Sequence, residues 1–172
     1  MASEGCTLCV EDSPAPYEGR FGRYASLLGE GSVKRVFRAL DRNHGKLVAW
    51  NEVDISHVPE EARPRLFYEV ELLRRVEHPN IIHFYGSWAT PEKVVFITEV
   101  VESGDLTRFY STHSVKLRVV KKWCRQILSA LKYLHSFSPP IIHRDIKCEN
   151  MLYNAAEAVS YTHLTLPTIY SV

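Results

Sequence analysis

The chain has 172 residues, of which 24% are charged and 45% hydrophobic, with a formal net charge of +1. That balance fits one core or two small lobes, and gives no general pull towards nucleic acid or a membrane surface. No apolar run approaches the roughly 18–20 residues that cross a bilayer, and the N-terminus lacks the basic and apolar regions of a secretory signal, so no membrane insertion and a cytoplasmic location are expected.

Residues 1–23 carry Pro14, Pro16, Gly19 and Gly22 among acidic and small residues, the composition of a flexible extension. Cys6 and Cys9 form a C-x-x-C with no second half to complete a zinc site, so they are expected to be two thiols on a mobile tail. From Tyr24, "YASLLGEGSVKRVFRAL" predicts strand, glycine turn and strand, "DRNHG" a hairpin loop, and "KLVAWNEVDI" the next strand. "PEEARPRLFYEVELLRRVEH" predicts a helix, with Pro64 in its first turn and Leu66, Val70, Leu73 and Val76 on one face. "HPNIIHFYGSW" and "KVVFITEVV" are two further strands. The first half is thus expected to be a five-stranded antiparallel sheet with one helix.

The second half changes character. "SGDLTRFYSTHS" predicts a short helix, and "VVKKWCRQILSALKYLHS" a long one with Val120, Trp123, Ile127, Leu131 and Leu134 on one stripe. Cys124 falls in that pattern and is expected to be a small buried hydrophobe. "IIHRDIKCENMLY" is a loop entered from a short apolar strand. The whole is an α+β chain.

Three motifs carry chemistry. In "GEGSVKRV", Gly29 and Gly31 let backbone N–H groups come close to a phosphate, although a G-x-G alone is equally an ordinary tight turn. Lys34 follows in the same stretch. In "HRDIKCEN", Asp145 can accept a hydroxyl proton or orient an attacking oxygen, Lys147 can neutralise a transferred phosphoryl group, and Asn150 can offer a neutral oxygen to a metal ion. The third is Glu69 in the amphipathic helix, nine residues before "HPN", which by itself would be an ordinary exposed helix carboxylate.

The order glycine loop, "VAWNEV", helix glutamate, "HPNII", "FITE", "GDL" and "HRDIKCEN" resembles the eukaryotic protein kinases. More narrowly it resembles the with-no-lysine (WNK) serine/threonine kinases, through the lysine-free "VAWNEV", the lysine in the glycine loop, "FYGSW", "FITE" and "PPIIHRD". The resemblance covers roughly residues 22–157 and implies a kinase N-lobe over 24–101 and the start of a helical C-lobe over 102–157. It implies ATP and Mg²⁺ as cofactors, and a protein substrate carrying Ser or Thr as partner, with no nucleic acid.

Residue by residue, the resemblance puts Gly29, Gly31 and Lys34 on the phosphates and Val36 and Ala49 on the adenine ring. Thr98 falls at the gatekeeper position, Glu99 to Val101 form the hinge, and Leu152 joins the nucleotide-binding set. Asp145 and Lys147 are the catalytic-loop pair and Asn150 a metal ligand. Asn51 stands where most kinases carry the phosphate-gripping lysine. Strand alternation places Lys34 on the same face as Val36, and Asn51 on the same face as Ala49, so a lysine stem from the neighbouring strand can cover the offset. Lys34 is therefore expected to replace the missing lysine and to pair with Glu69.

After Asn150 the pattern breaks. Residues 151–172 contain no aspartate, so the second metal ligand of a D-F-G or D-L-G is missing. "VSYTHLTLPT" resembles the conceptual translation of a transposon end and adapter used in sequencing libraries, and residues 158–172 are expected to be a non-native tail. The chain as given is therefore expected to be inactive, and its long helix to lack cover for its stripe. A second reading is a pseudokinase scaffold, since "WNEV", "FITE" and "PPIIH" also resemble the nuclear-receptor-binding-protein pseudokinases. Those lose the H-R-D aspartate, whereas Asp145, Lys147 and Asn150 are intact here.

Overall fold

The computed structural model describes residues 9–31, 34–56, 58–154 and 162–164. The chain divides into two units, one of Met1–Val70 with Phe84–Val100, the other of Glu71–His83 with Val101–Val172.

The first unit is built on an antiparallel sheet of β1 (Glu11–Asp12), β2 (Phe21–Glu30), β3 (Lys34–Asp41), β4 (Lys46–Asp54), β5 (Phe84–Ala89) and β6 (Lys93–Glu99). Their order is β1-β2-β3-β4-β6-β5, so the five expected strands are joined by a sixth, short one at the edge. The hairpin between β3 and β4 turns on Asp41, whose side chain accepts from the Asn43 backbone N–H at 3.1 Å, an Asx-type turn. Helix α1 (Arg63–Arg75) buries Leu66 and Val70 in this unit.

Register separates the two faces of the sheet. Phe37 lies opposite Trp50, and Trp50 opposite Ile97. This face, with Phe21, Ala39, Val48, Trp88 and Val95, is the core of the unit. On the other face Lys34 pairs with Val53, Val36 with Asn51 and Arg38 with Ala49, while Asn51 pairs with Phe96 and Ala49 with Thr98. Cross-strand partners point to one side, so Lys34, Val36, Arg38, Ala49, Asn51, Phe96 and Thr98 share a surface.

Part of the stretch expected as a flexible extension is built into this sheet. Val10 N–H donates to Arg23 O at 2.8 Å and Ser13 N–H to Phe21 O at 2.9 Å. The buried Ser13 hydroxyl donates to Tyr17 O at 2.7 Å and accepts from Phe21 N–H at 3.1 Å. The Tyr17 ring lies 5.6 Å from that of Phe21 and 6.0 Å from that of Trp88, directly over Gly86, where a Cβ would meet it at 2.5 Å. Glu52, only 4% exposed, binds Arg23 at 3.4 Å and Lys93 at 3.2 Å, and both cations also hold Glu11. Composition gives no hint of this, because Trp88, Gly86 and Lys93, which hold the segment to the sheet, are distant in sequence. Cys6 lies outside the described residues; Cys9 carries a free thiol.

The second unit packs α2 (Leu106–Thr112) and α3 (Leu117–His135) with β7 (Met151–Tyr153) and β8 (Thr162–Leu164). Its core is Val76, Ile81, Leu106, Trp123, Ala130, Leu134, Ile141 and Met151. The stripe of α3, expected to lack cover, is thus partly covered: Trp123 and Leu134 are 2% and 0% exposed, and Ile127 and Leu131 pack on the same cluster. Burying such side chains is worth roughly 1.5–3 kcal/mol each. Cys124 is exposed rather than buried, since it sits about 100° around the helix from Trp123. β8 falls in the stretch read as a non-native tail, and its pairing with β7 is a backbone ladder. No described helix is long and apolar enough to cross a membrane.

Candidate active site

In the first unit the turn between β2 and β3 is closed by the Gly31 N–H donating to Lys34 O at 2.8 Å. A Cβ on Gly29 would meet no described atom within 4 Å, and one on Gly31 would rest at an ordinary 3.6 Å from Lys34 O. Neither glycine is demanded by packing among the described residues. Open backbone of this kind is what a phosphate group needs for close approach.

Asn51 does not reach outward. It is 4% exposed, and its Nδ2 donates to Ala49 O at 3.3 Å, Phe96 O at 3.2 Å and Thr98 Oγ1 at 3.2 Å. The side chain at the usual lysine position is a buried clamp between β4 and β6. Lys34 is a cation of this face, as is Arg38 opposite Ala49, and the Lys34 Nζ stands 5.1 Å from the centroid of the Phe96 ring. Burial pushes its amine down from 10.5 to about 8. No described carboxylate lies within ion-pair distance of it. Glu69 takes its ion pair from Arg65 one helical turn earlier, at 3.4 Å, so Lys34 and Glu69 do not touch in this structure. Val36, Ala49 and Thr98 share the face with Lys34, as the register requires, and Glu99 ends β6 opposite Val48.

In the second unit the H-R-D loop is held from beneath. His143 is 1% exposed, and the Asp145 N–H donates to both His143 O at 2.9 Å and His143 Nδ1 at 3.3 Å. The tight loop puts Arg144 at φ 65°, left-handed backbone that costs a non-glycine residue about 1–2 kcal/mol and is met mostly where a loop is over-determined by its surroundings. Asn150 Nδ2 donates to Asp145 O at 2.9 Å and Asp145 Oδ2 at 2.8 Å. Lys147 Nζ lies 3.2 Å from the same Oδ2. Asp145, Lys147 and Asn150 are therefore one contiguous cluster, Asp145 and Lys147 preceding and Asn150 ending a short 3-10 turn (Cys148–Asn150). Leu152 lies just beyond it on β7 and bridges to Asp105, the residue that caps α2. Val101 follows β6 and belongs to this unit.

Two features that sequence reasoning missed are the ring of Phe96 beneath Lys34 and the buried prop His143. Both were legible in principle: Phe96 alternates with Thr98 in "FITE", and His143 opens the motif.

The donor sets fit the cofactors that the motifs imply. An uncompensated amine beside open glycine backbone suits a polyphosphate. Asp145 and Asn150 offer hard oxygen ligands. No group of three or more His, Cys, Asp or Glu among the described residues could hold a metal alone. Mg²⁺ does not need one, because it is usually held by one or two protein oxygens together with phosphate and water.

The protein kinase domain model matches residues 23–164, and the chain belongs to the protein kinase family. Among its relatives is the probable serine/threonine-protein kinase WNK4 of Arabidopsis thaliana, 41% identical over 150 residues, which cover 84% of this chain and 26% of that protein. The crystal structure of Rad53 1-466 in complex with AMP-PNP superimposes with a TM-score of 0.78 at 29% identity, over 86% of this chain and 38% of that one. The chain spans about a quarter of the length of the plant relative, and its 41% identity to that relative agrees with the WNK resemblance read from "VAWNEV" and its neighbouring blocks.

Proposed function

We propose that this chain carries the nucleotide-holding and nucleophile-orienting parts of a WNK-type serine/threonine protein kinase. The single observation behind the reading is the exchange of roles between Asn51 and Lys34. The first is sealed into the sheet, and the second offers a cation on the same face, beside the glycine turn. In the reaction of the family, the γ-phosphoryl group of ATP passes to a Ser or Thr hydroxyl of a protein substrate. Gly29, Gly31 and Lys34 would hold phosphates, and Val36, Ala49, Thr98, Glu99, Val101 and Leu152 would frame the base. Asp145 would orient the hydroxyl and accept its proton, with Lys147 balancing charge beside it. Asn150 would hold Mg²⁺, whose charge when bound would offset that of the phosphates. Glu69 would take up Lys34 once the nucleotide is in place.

The same residues disfavour the scaffold reading, because Asp145, Lys147 and Asn150 form an intact cluster. Residues 151–172 supply no aspartate for the second metal position, so the 172-residue chain itself is expected to bind nucleotide without transferring phosphate.

The test has two arms. A fluorescent ATP analogue should bind saturably and be displaced by ATP, and Lys34→Met should lose that binding while Lys46→Met keeps it. Phosphorylation of a generic Ser/Thr substrate by the pure chain should be absent. Equal binding by wild type and Lys34→Met would refute the role of Lys34, and robust phosphorylation would refute the incomplete metal site. Sequencing the native transcript across the codon for Glu157 decides whether a D-[FL]-G follows.

A further inference from the structure

Asn51 has a second consequence, which rests on the nucleotide-binding reading above. Its amide reaches three acceptors at once, and one of them is the side chain of Thr98, the residue cross-strand from Ala49. Both side chains are at least nine-tenths buried. A threonine hydroxyl ordinarily chooses among staggered rotamers. Here the oxygen accepts from Asn51 Nδ2 at 3.2 Å, which sets the rotamer and with it the direction of the methyl.

From this geometry we infer that Asn51 is a positioning residue that sets base-end selectivity through Thr98. The pair acts as a unit: Asn51 holds the Thr98 rotamer, and Thr98 shapes the wall that the ligand meets.

The measurement is competitive displacement of a fluorescent ATP analogue by ATP and by N6-benzyl-ATP, on the full 172-residue chain. The readout is the ratio of the two dissociation constants. Variants are Asn51→Leu, which keeps size and removes the donors, Asn51→Ser, which is too short to reach Thr98, Thr98→Ala, and the Asn51→Leu/Thr98→Ala double variant. Asn51→Leu should shift the ratio at least threefold, in the same direction as Thr98→Ala, and the double variant should add nothing to Thr98→Ala alone. A purely structural role would lower the melting temperature and weaken both ligands in proportion, leaving the ratio fixed. An unchanged ratio in a folded Asn51 variant, or additive effects in the double variant, overturns the inference. Should Asn51→Leu fail to fold, Asn51→Ser decides by the same ratio. If wild type binds neither nucleotide, the functional reading itself falls, and this inference with it.

Discussion

The amine of Lys34 lies over the ring of Phe96, 5.1 Å from its centroid, on the face of the sheet that Asn51 seals. The ring gives an ammonium some electrostatic comfort, worth about 0.5–2 kcal/mol, but no countercharge. The amine is held ready at a cost in stability.

That cost has a sign and a window. Burial lowers the folded-state value of Lys34 to about 8, against an ordinary 10.5. Between these values the unfolded chain binds the proton and the folded chain does not, so stability rises with pH across that interval. Lys34→Met should therefore raise stability at pH 7 by about 2 kcal/mol while abolishing nucleotide binding. Chemical denaturation at pH 7 and pH 10.5 checks it: the gain of the variant should shrink at the higher pH.

Asp41 predicts the opposite limb. Burial raises its carboxyl, but hydrogen bonds from Arg20 and His44 outweigh that and hold it at about 2, below the ordinary 3.8. Its contribution, about 2 kcal/mol, is fully present above pH 4 and is lost as pH falls from 4 through 2. Asp41→Asn should flatten the stability curve in that interval, as followed by urea midpoints.

Gly86 is a socket for Tyr17. An added methyl would approach the ring at 2.5 Å, so Gly86→Ala should cost about 1–3 kcal/mol by overpacking. Tyr17→Ala should be destabilising alone, yet Gly86→Ala on that background should cost much less. A thermal-denaturation cycle of the four proteins measures this coupling.

In the H-R-D loop, two donors from Asn150 grip Asp145. Asn150→Ala should loosen the loop by about 1 kcal/mol per lost bond, seen as faster amide exchange over residues 143–150. Asp145→Asn removes the Lys147 partner from a half-exposed pair and should change global stability by less than about 1 kcal/mol.

The sequence made the site residues legible because their spacing is short: Asp145, Lys147 and Asn150 fall within one tight loop, and Lys34 and Val36 share a strand face by alternation. The strands were legible too, as runs rich in branched and aromatic residues. What escaped were facts set by distant partners. Ser13 gains its structure from Phe21 across a local turn, and Tyr17 and Glu11 gain theirs from Trp88 and Lys93, far along the chain. Cys124 is exposed where its residue type suggests burial, because an apolar residue type inside an amphipathic helix does not fix its angle, whereas counting from Trp123 does. The cover over the α3 stripe comes from Val76, Ile81, Ile141 and Met151, short pieces with no signal of their own.

The Tyr17 and Glu11 contacts also bear on where this protein can be cut. The family model begins at residue 23, yet the sheet is already engaged at Val10. A version trimmed to the family boundary would uncover the indole of Trp88 and leave the carboxylate of Glu52 without the Glu11-linked cations arranged as they are. Aromatic surface laid bare beside a newly unpaired strand edge invites self-association. Insolubility in such a shortened protein would then report a misplaced boundary rather than an inherently unstable kinase lobe.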